Sequence, residues 1–197
     1  MTLKQELEMA KNKYSIGYFS AYYRGLETLL DIYPLVKKEI PEVTLDIAYG
    51  WQSWVALEGK NDFYNRMEKK FKELEPLGVT VHDRLSHKEL AKLMKDTKVW
   101  AYPTEFPEIF CITAIKANLA GCKPVITDVA ALKETGGPNA DYIVTDKIYT
   151  NEYAQEKFAK KLIKALKEEH DATEQVAWAK RYDWSNVAKQ WEEQIDA

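Results

Sequence analysis

The chain has 197 residues, 46% of them hydrophobic and 12% aromatic, which suits one ordinary globular domain with its own core. Its 28 basic and 31 acidic residues leave a formal net charge of -3, with neither a basic footprint for nucleic acid nor an acidic solvating tail. No apolar run approaches the roughly 20 residues that a membrane span needs.

The opening MTLKQELEMAKNKYS is charged and helix-prone, without an apolar signal core, and residues 1–13 are expected to form an N-terminal extension. A single domain is expected over 14–197. YSIGYFS (14–20) reads as a first strand, followed by a helix in RGLETLLDIYPLVKKEI that places Leu26, Leu29, Leu30, Tyr33 and Val36 on one face. Pro34 within that run is expected to kink or restart it. VTLDIAYG (43–50) is a second strand, WQSWVALEGKND a loop, FYNRMEKKFKEL a charged helix and GVTVHDRL a third strand. Ser86 precedes SHKELAKLMKD with Glu89 three residues on, a capping-box pattern that starts a helix. KVWAYPT (98–104), KPVITD (123–128) and DYIVTD (141–146) supply three more strands, and the remainder reads as helices.

Strands alternating with helices in this way imply an α/β fold, a Rossmann-like doubly wound parallel sheet of about six strands with helices on both faces. Ligands of such sheets bind beyond the C-terminal ends of the strands, which selects the loops 20–25, 82–86 and 104–111. Neither GxGxxG after the first strand nor GxxxxGK[ST] anywhere is present, so a dinucleotide site and a P-loop both lose their motif. A GxSxG elbow is also missing. Cys111 and Cys122 lack metal-like spacing and His82, His87 and His170 are scattered, so no metal site is expected and a reduced, cytoplasmic setting is.

The third loop runs into TEFPEIFCITAIKANLAGCKPVITD, where Pro107 and Glu108 open a short helix rich in small residues. An acid at a helix start complements the dipole and has a purely structural reading. The same helix start offers free amides around Ile109, Phe110, Cys111 and Ile112 as an anion site. Tyr22, Tyr23, Trp51 and Trp54 lie in loops; packing is the common use of such aromatics, and Tyr22 and Tyr23, within the first loop beside Arg24, are the candidates for the site. Trp178, Trp184 and Trp191 are expected to pack the closing helices onto the domain.

YPTEFPEIFCITAIKANLAGCKPVITDVAALKET resembles the signature segment of retaining GT-B-fold glycosyltransferases, family 4, through Tyr102, Pro103, Glu108, Phe110, Ala120, Gly121, Pro124, Val125, Thr127 and Glu134. YFSAYYRGLETLLDIYPLV is similar to the start of that family's donor-binding domain, and RYDWSNVAKQW to its closing helix. The resemblance implies a nucleotide-diphosphate sugar as donor, with no other cofactor. Glu108 would contact the donor sugar, the amides of Ile109 to Ile112 would hold the diphosphate, and Arg24, followed by Gly25, would neutralise phosphate. Arg84 would lie near the base, or be a solvated arginine. Two departures stand out: Lys116 occupies the place of a second glutamate that grips the ribose hydroxyls, and Phe19 occupies that of a further basic residue. Lys116 could donate to ribose or phosphate from within the site, or snorkel to the surface.

The resemblance covers one half of a GT-B enzyme, whose acceptor domain would have to be supplied in cis or in trans. The full enzyme could then associate peripherally with a membrane. The rival readings are a non-catalytic interaction module on a degenerate domain, and half of a nucleotide-sugar epimerase or phosphorylase.

Overall fold

The structure, a computed structural model, describes residues 13–195. The expected N-terminal extension therefore lies outside the described residues apart from Lys13. Six strands form one parallel sheet in the order β3-β2-β1-β4-β5-β6: β1 (Ser15–Tyr18), β2 (Thr44–Ala48), β3 (Val79–His82), β4 (Val99–Tyr102), β5 (Lys123–Thr127) and β6 (Asp141–Ile143). β1 pairs with β2 through Ile16↔Leu45 and with β4 through Ile16↔Val99, so β1 and β4 form the centre. Every residue of β1 and β4 is buried, as expected for strands covered on both faces.

Nine α-helices occur among the described residues. α1 (Leu26–Glu39) follows β1; α2 (Gln52–Glu58) and α3 (Asp62–Leu74) lie between β2 and β3; α4 (His87–Asp96) joins β3 to β4. α5 (Ile112–Leu119) joins β4 to β5, α6 (Leu132–Thr135) is a single turn before β6, and α7 (Glu152–Lys167), α8 (Thr173–Ala179) and α9 (Trp184–Ile195) close the chain. α1 packs against α7, and α5 against α8 and α4. α1 buries the five residues read from its periodicity together with Thr28 and Ile32. The capping box of α4 is formed in both directions: Ser86 Oγ accepts from the Glu89 amide, and the Glu89 carboxylate from the Ser86 amide.

Three expectations are corrected. Helix α1 runs through Pro34 without restarting: Pro34 is on the solvent side, while Tyr33 and Val36 beside it are fully buried and hold the helix to the sheet. The segment expected as a loop after β2 contains α2, none of whose residues is buried, so no periodic apolar face announced it. Neighbouring rings hold it instead: Trp51 donates to Glu68 at 2.8 Å and Trp54 lies 5.0 Å from Phe63. Finally, Trp184 and Trp191 are 84% and 67% exposed, and α9 buries no residue, so these two tryptophans do not pack the helix onto the domain. Trp178 is half-buried against Tyr182.

The strand order reverses between β1 and β4. Connections leave these adjacent strands to opposite sides, which opens a crevice at their C-terminal ends. Loops 19–25 and 103–111 form its walls. Gly25, the N-cap of α1, has φ 102°, and a Cβ built on it would fall 2.0 Å from the carbonyl oxygen of Pro103. Only glycine lets the two loops meet there.

Candidate functional site

The crevice brings Arg24 and Glu108 together. Arg24 Nη1 donates to Glu108 Oε1 at 3.0 Å, and the Tyr102 hydroxyl donates to the same oxygen at 2.5 Å. Ser20 Oγ in turn donates to the Tyr102 oxygen at 3.3 Å. Glu108 is 8% exposed, with its backbone fixed at both ends: its N–H donates to the Phe106 carbonyl at 2.9 Å, and its own carbonyl accepts from Ala131 at 3.1 Å. Both side-chain bonds converge on Oε1, and Oε2 takes no bond among the described residues.

The Arg24 guanidinium lies 3.8 Å above the Phe106 ring and 5.5 Å from that of Tyr23, a stacked setting that suits its planar, weakly hydrated charge. Burial alone would disfavour that charge, yet hydrogen bonding with Tyr23 and the nearby Glu108 carboxylate raise its pKa above the ordinary value. Arg24 Nε is buried without a hydrogen-bond partner. A buried donor left so costs about 1–3 kcal/mol, more for a charged group, unless a water or an anion accepts from it. Burial, then the bond to Glu108, lifts the Tyr102 phenol well above its ordinary range, so it stays a donor at neutral pH.

Beyond Glu108 the chain turns through Ile109, 95% exposed, and Phe110 to Cys111, the N-cap of α5. The backbone N–H groups of Ile109 and Phe110, in the loop before the helix, and of Cys111 and Ile112, its N-cap and first residue, donate to nothing among the described residues; only the last two belong to the helix start. They adjoin the Arg24–Glu108 pair. Burial pushes the Cys111 thiol up to about 12, so it remains neutral beside them.

Arg84 and Lys116 lie apart from that pair. Arg84 is exposed and lines a cavity of about 290 Å³ with Phe19, Tyr49, Gln52 and His87, beyond the ends of β1, β2 and β3. Lys116 lines a groove of about 300 Å³ between α4 and α5 with Leu90, Met94 and Lys95. The two cavities share His87 and Leu90 and so adjoin. Lys116 makes no ion pair among the described residues. Tyr22 is buried, accepts from the Gly50 amide at 3.1 Å and packs edge-on to Trp51 at 4.7 Å, a structural use; Tyr23 remains 44% exposed beside Arg24.

Sequence reasoning passed over Ser20, Tyr102 as a ligand of Glu108, Phe106 and His87. Phe106 and Ser20 lie in loops already selected by the strand-end rule, which was the available signal. The Tyr102–Glu108 contact spans a loop turn and has no sequence signature. No group of three or more His, Cys, Asp or Glu among the described residues could hold a metal ion, and no helix there is long and apolar enough to cross a membrane.

Solved structures share this fold at low sequence identity. The Anabaena Alr3699/HepE structure in complex with UDP and glucose is 21% identical, with a TM-score of 0.73 over 98% of this chain and 51% of that one. The pneumococcal O-GlcNAc transferase GtfA in complex with UDP and GlcNAc is 15% identical, with a TM-score of 0.70 over 95% of this chain and 36% of that one. Sucrose-phosphate synthase from Thermosynechococcus elongatus is 18% identical, with a TM-score of 0.63 over 99% of this chain and 48% of that one. The chain thus spans between 36% and 51% of the length of these three proteins. No curated protein matches it. The model of the family "Glycosyl transferases group 1" matches residues 2–191, and this chain belongs to that family.

Proposed function

We propose that residues 14–197 form the C-terminal, donor-binding half of a retaining glycosyltransferase of the family 4 type. In this reading the crevice between β1 and β4 takes a nucleoside diphosphate sugar. The observation that carries the reading is Arg24 at the switch point, its Nε buried and unpartnered and its Nη1 already on Glu108. A diphosphate would satisfy that Nε and the open amides of Ile109 to Ile112 together. The sugar would then lie on Glu108, whose Oε2 is an acceptor suited to a hydroxyl.

The nucleoside would extend toward the adjoining cavities, with the base beside Arg84 and the ribose near Lys116. An ammonium there donates to ribose oxygens, whereas a carboxylate would accept from both hydroxyls. Arg24 and the helix-start amides would stabilise the diphosphate as it leaves with the negative charge of bond cleavage. Acceptor binding and deprotonation belong, in this proposal, to the other half of a two-domain enzyme, joined in cis or in trans, and the isolated chain is expected not to transfer efficiently. Attachment of the whole enzyme to a membrane surface, and a cytoplasmic setting, belong to the same proposal.

The test is thermal unfolding of the chain with UDP, GDP, ADP, CDP and dTDP and with their sugar conjugates. Ligand at about 100 times its Kd adds roughly 2.7 kcal/mol, which raises the midpoint by about 5–10 °C. Glu108→Gln is expected to reduce the affinity of the sugar conjugate more than that of the bare diphosphate. Equal loss for both would refute the role of Glu108, and silence across the panel would refute the donor site.

A further inference from the structure

We propose that Tyr102, braced by Ser20, is a positioning residue that presents one oxygen of Glu108 to the donor sugar and thereby limits recognition at this point to a single hydroxyl. The proposal rests on the donor-site reading above and concerns how that site discriminates.

The argument is a count of donors and acceptors. A phenol has one proton and accepts through its lone pairs. Ser20 Oγ donates to the Tyr102 oxygen at 3.3 Å, which leaves the phenol proton free for Glu108 Oε1, 2.5 Å away. Arg24 Nη1 donates to the same Oε1 at 3.0 Å. With two donors converging there, one of them charged, Oε1 is engaged by the protein. Oε2 has no partner among the described residues, and Glu108 as a whole is 8% exposed.

The brace cannot swing. Tyr102 is fully buried on β4, its ring stacked on Trp100 at 5.4 Å and tilted against Tyr18 at 5.9 Å. The Glu108 backbone is pinned through Phe106 and Ala131. Glutamate has three side-chain torsions, and an unbraced one would sample several rotamers. Arg24 alone does not remove that freedom, because a guanidinium that also meets phosphate can shift with its ligand. Tyr102 is fully buried and reaches no surface. It fixes the carboxylate whichever way Arg24 turns.

The experiment is calorimetric titration of the wild-type chain and of Tyr102→Phe, Ser20→Ala, Glu108→Gln and Tyr102→Phe/Glu108→Gln, with UDP and UDP-glucose. Phenylalanine keeps the ring and removes only the oxygen. The expected result for Tyr102→Phe is a loss of about tenfold in UDP-glucose affinity, the lower end for a hydrogen bond to a charged group, with UDP affinity unchanged. Ser20→Ala is expected to lower the same ratio about threefold through the lost brace, a smaller neutral bond, and serves as a second readout if Tyr102→Phe folds poorly. In the Glu108→Gln background, Tyr102→Phe should change nothing further. A buried tyrosine with a merely structural role would lower both ligands alike, or would act undiminished in the double variant, and either result overturns the proposal. So does unchanged binding of both ligands. If the wild-type chain shows no gain from a sugar moiety with UDP-glucose or with any conjugate of the thermal panel, the sugar role of Glu108 falls and takes this inference with it, a failure recognisable because it precedes any variant.

Discussion

Replacement of Gly25 by alanine tests whether the site depends on close contact between its two loops. At φ 102° and ψ 6° an added Cβ meets the Pro103 carbonyl oxygen at 2.0 Å, its carbon at 2.8 Å and Thr104 Cα at 3.3 Å, all backbone atoms that cannot rotate away. The left-handed backbone costs an L residue about 1–2 kcal/mol. Overpacking against fixed atoms adds about 1–3 kcal/mol, giving about 2–5 kcal/mol in all. For a domain of this size that lowers the melting midpoint by about 4–20 °C. Gly59→Ala is a control without the close contact: at φ 66° and ψ -168° it lies in a different glycine-favoured region, but nothing lies within 4 Å of the new Cβ, so it carries backbone strain alone, about 1–3 kcal/mol. Thermal unfolding followed by circular dichroism ranks the two. Nucleotide binding, measured well below either midpoint, should be lost in Gly25→Ala, where the Arg24 and Glu108 loops are driven apart, and kept in Gly59→Ala. Equal midpoints and equal binding would refute the reasoning.

Two further outcomes are expected. Phe106→Ala removes the ring 3.8 Å from the Arg24 guanidinium, and should weaken diphosphate binding by about 2–30-fold, the range of a cation–π contact of about 0.5–2 kcal/mol; unchanged affinity in titration would show that the stack does not hold Arg24 in place. The Cys111 thiol, pushed by burial from 9.0 to about 12, stays protonated in the folded chain after the unfolded chain has ionised. Its contribution is therefore complete below about pH 9 and is lost as pH rises toward 12, because the unfolded state then binds fewer protons. At about pH 10.5 the loss is roughly 2 kcal/mol. Urea unfolding at about pH 8 and pH 10.5 should show a steeper fall for the wild-type chain than for Cys111→Ala, and parallel falls would contradict it.

The centre of the sheet was legible because β1 and β4 are compact apolar runs buried on both faces, while the edge strands β3 and β6, only partly buried, were read from β-branched residues and the turns around them. All six expected strands occur, in an order that no local pattern encodes. Helix α2 was not legible: Gln52 to Glu58 bury nothing, and the rings that steady Trp51 and Trp54 come from α3, which lies later in the chain. Trp184 and Trp191 misled for the opposite reason, since a large aromatic at helical spacing resembles core whether or not anything covers it. In the site, Arg24 and Glu108 were found through loops and resemblance, but their 3.0 Å contact joins residues 84 apart and could not be read from either segment. Lys116 was left between two readings by its sequence. The structure puts it in a groove between α4 and α5 that adjoins the cavity of Arg84, a placement both readings share.

The meeting of Gly25 with Pro103 also bears on how tightly the crevice can hold a ligand. With no side chain between them, the β1 loop and the β4 loop form one seam, and Arg24 and Glu108 are joined across it before any ligand arrives. At this seam the freedom of the two loops is surrendered when the chain folds, and less of it remains to be lost on association. Each rotamer-rich side chain immobilised only on binding would subtract about 0.5–1.5 kcal/mol from affinity. A chain arranged this way binds weakly for a different cause when it binds weakly: too few contacts, rather than too much motion.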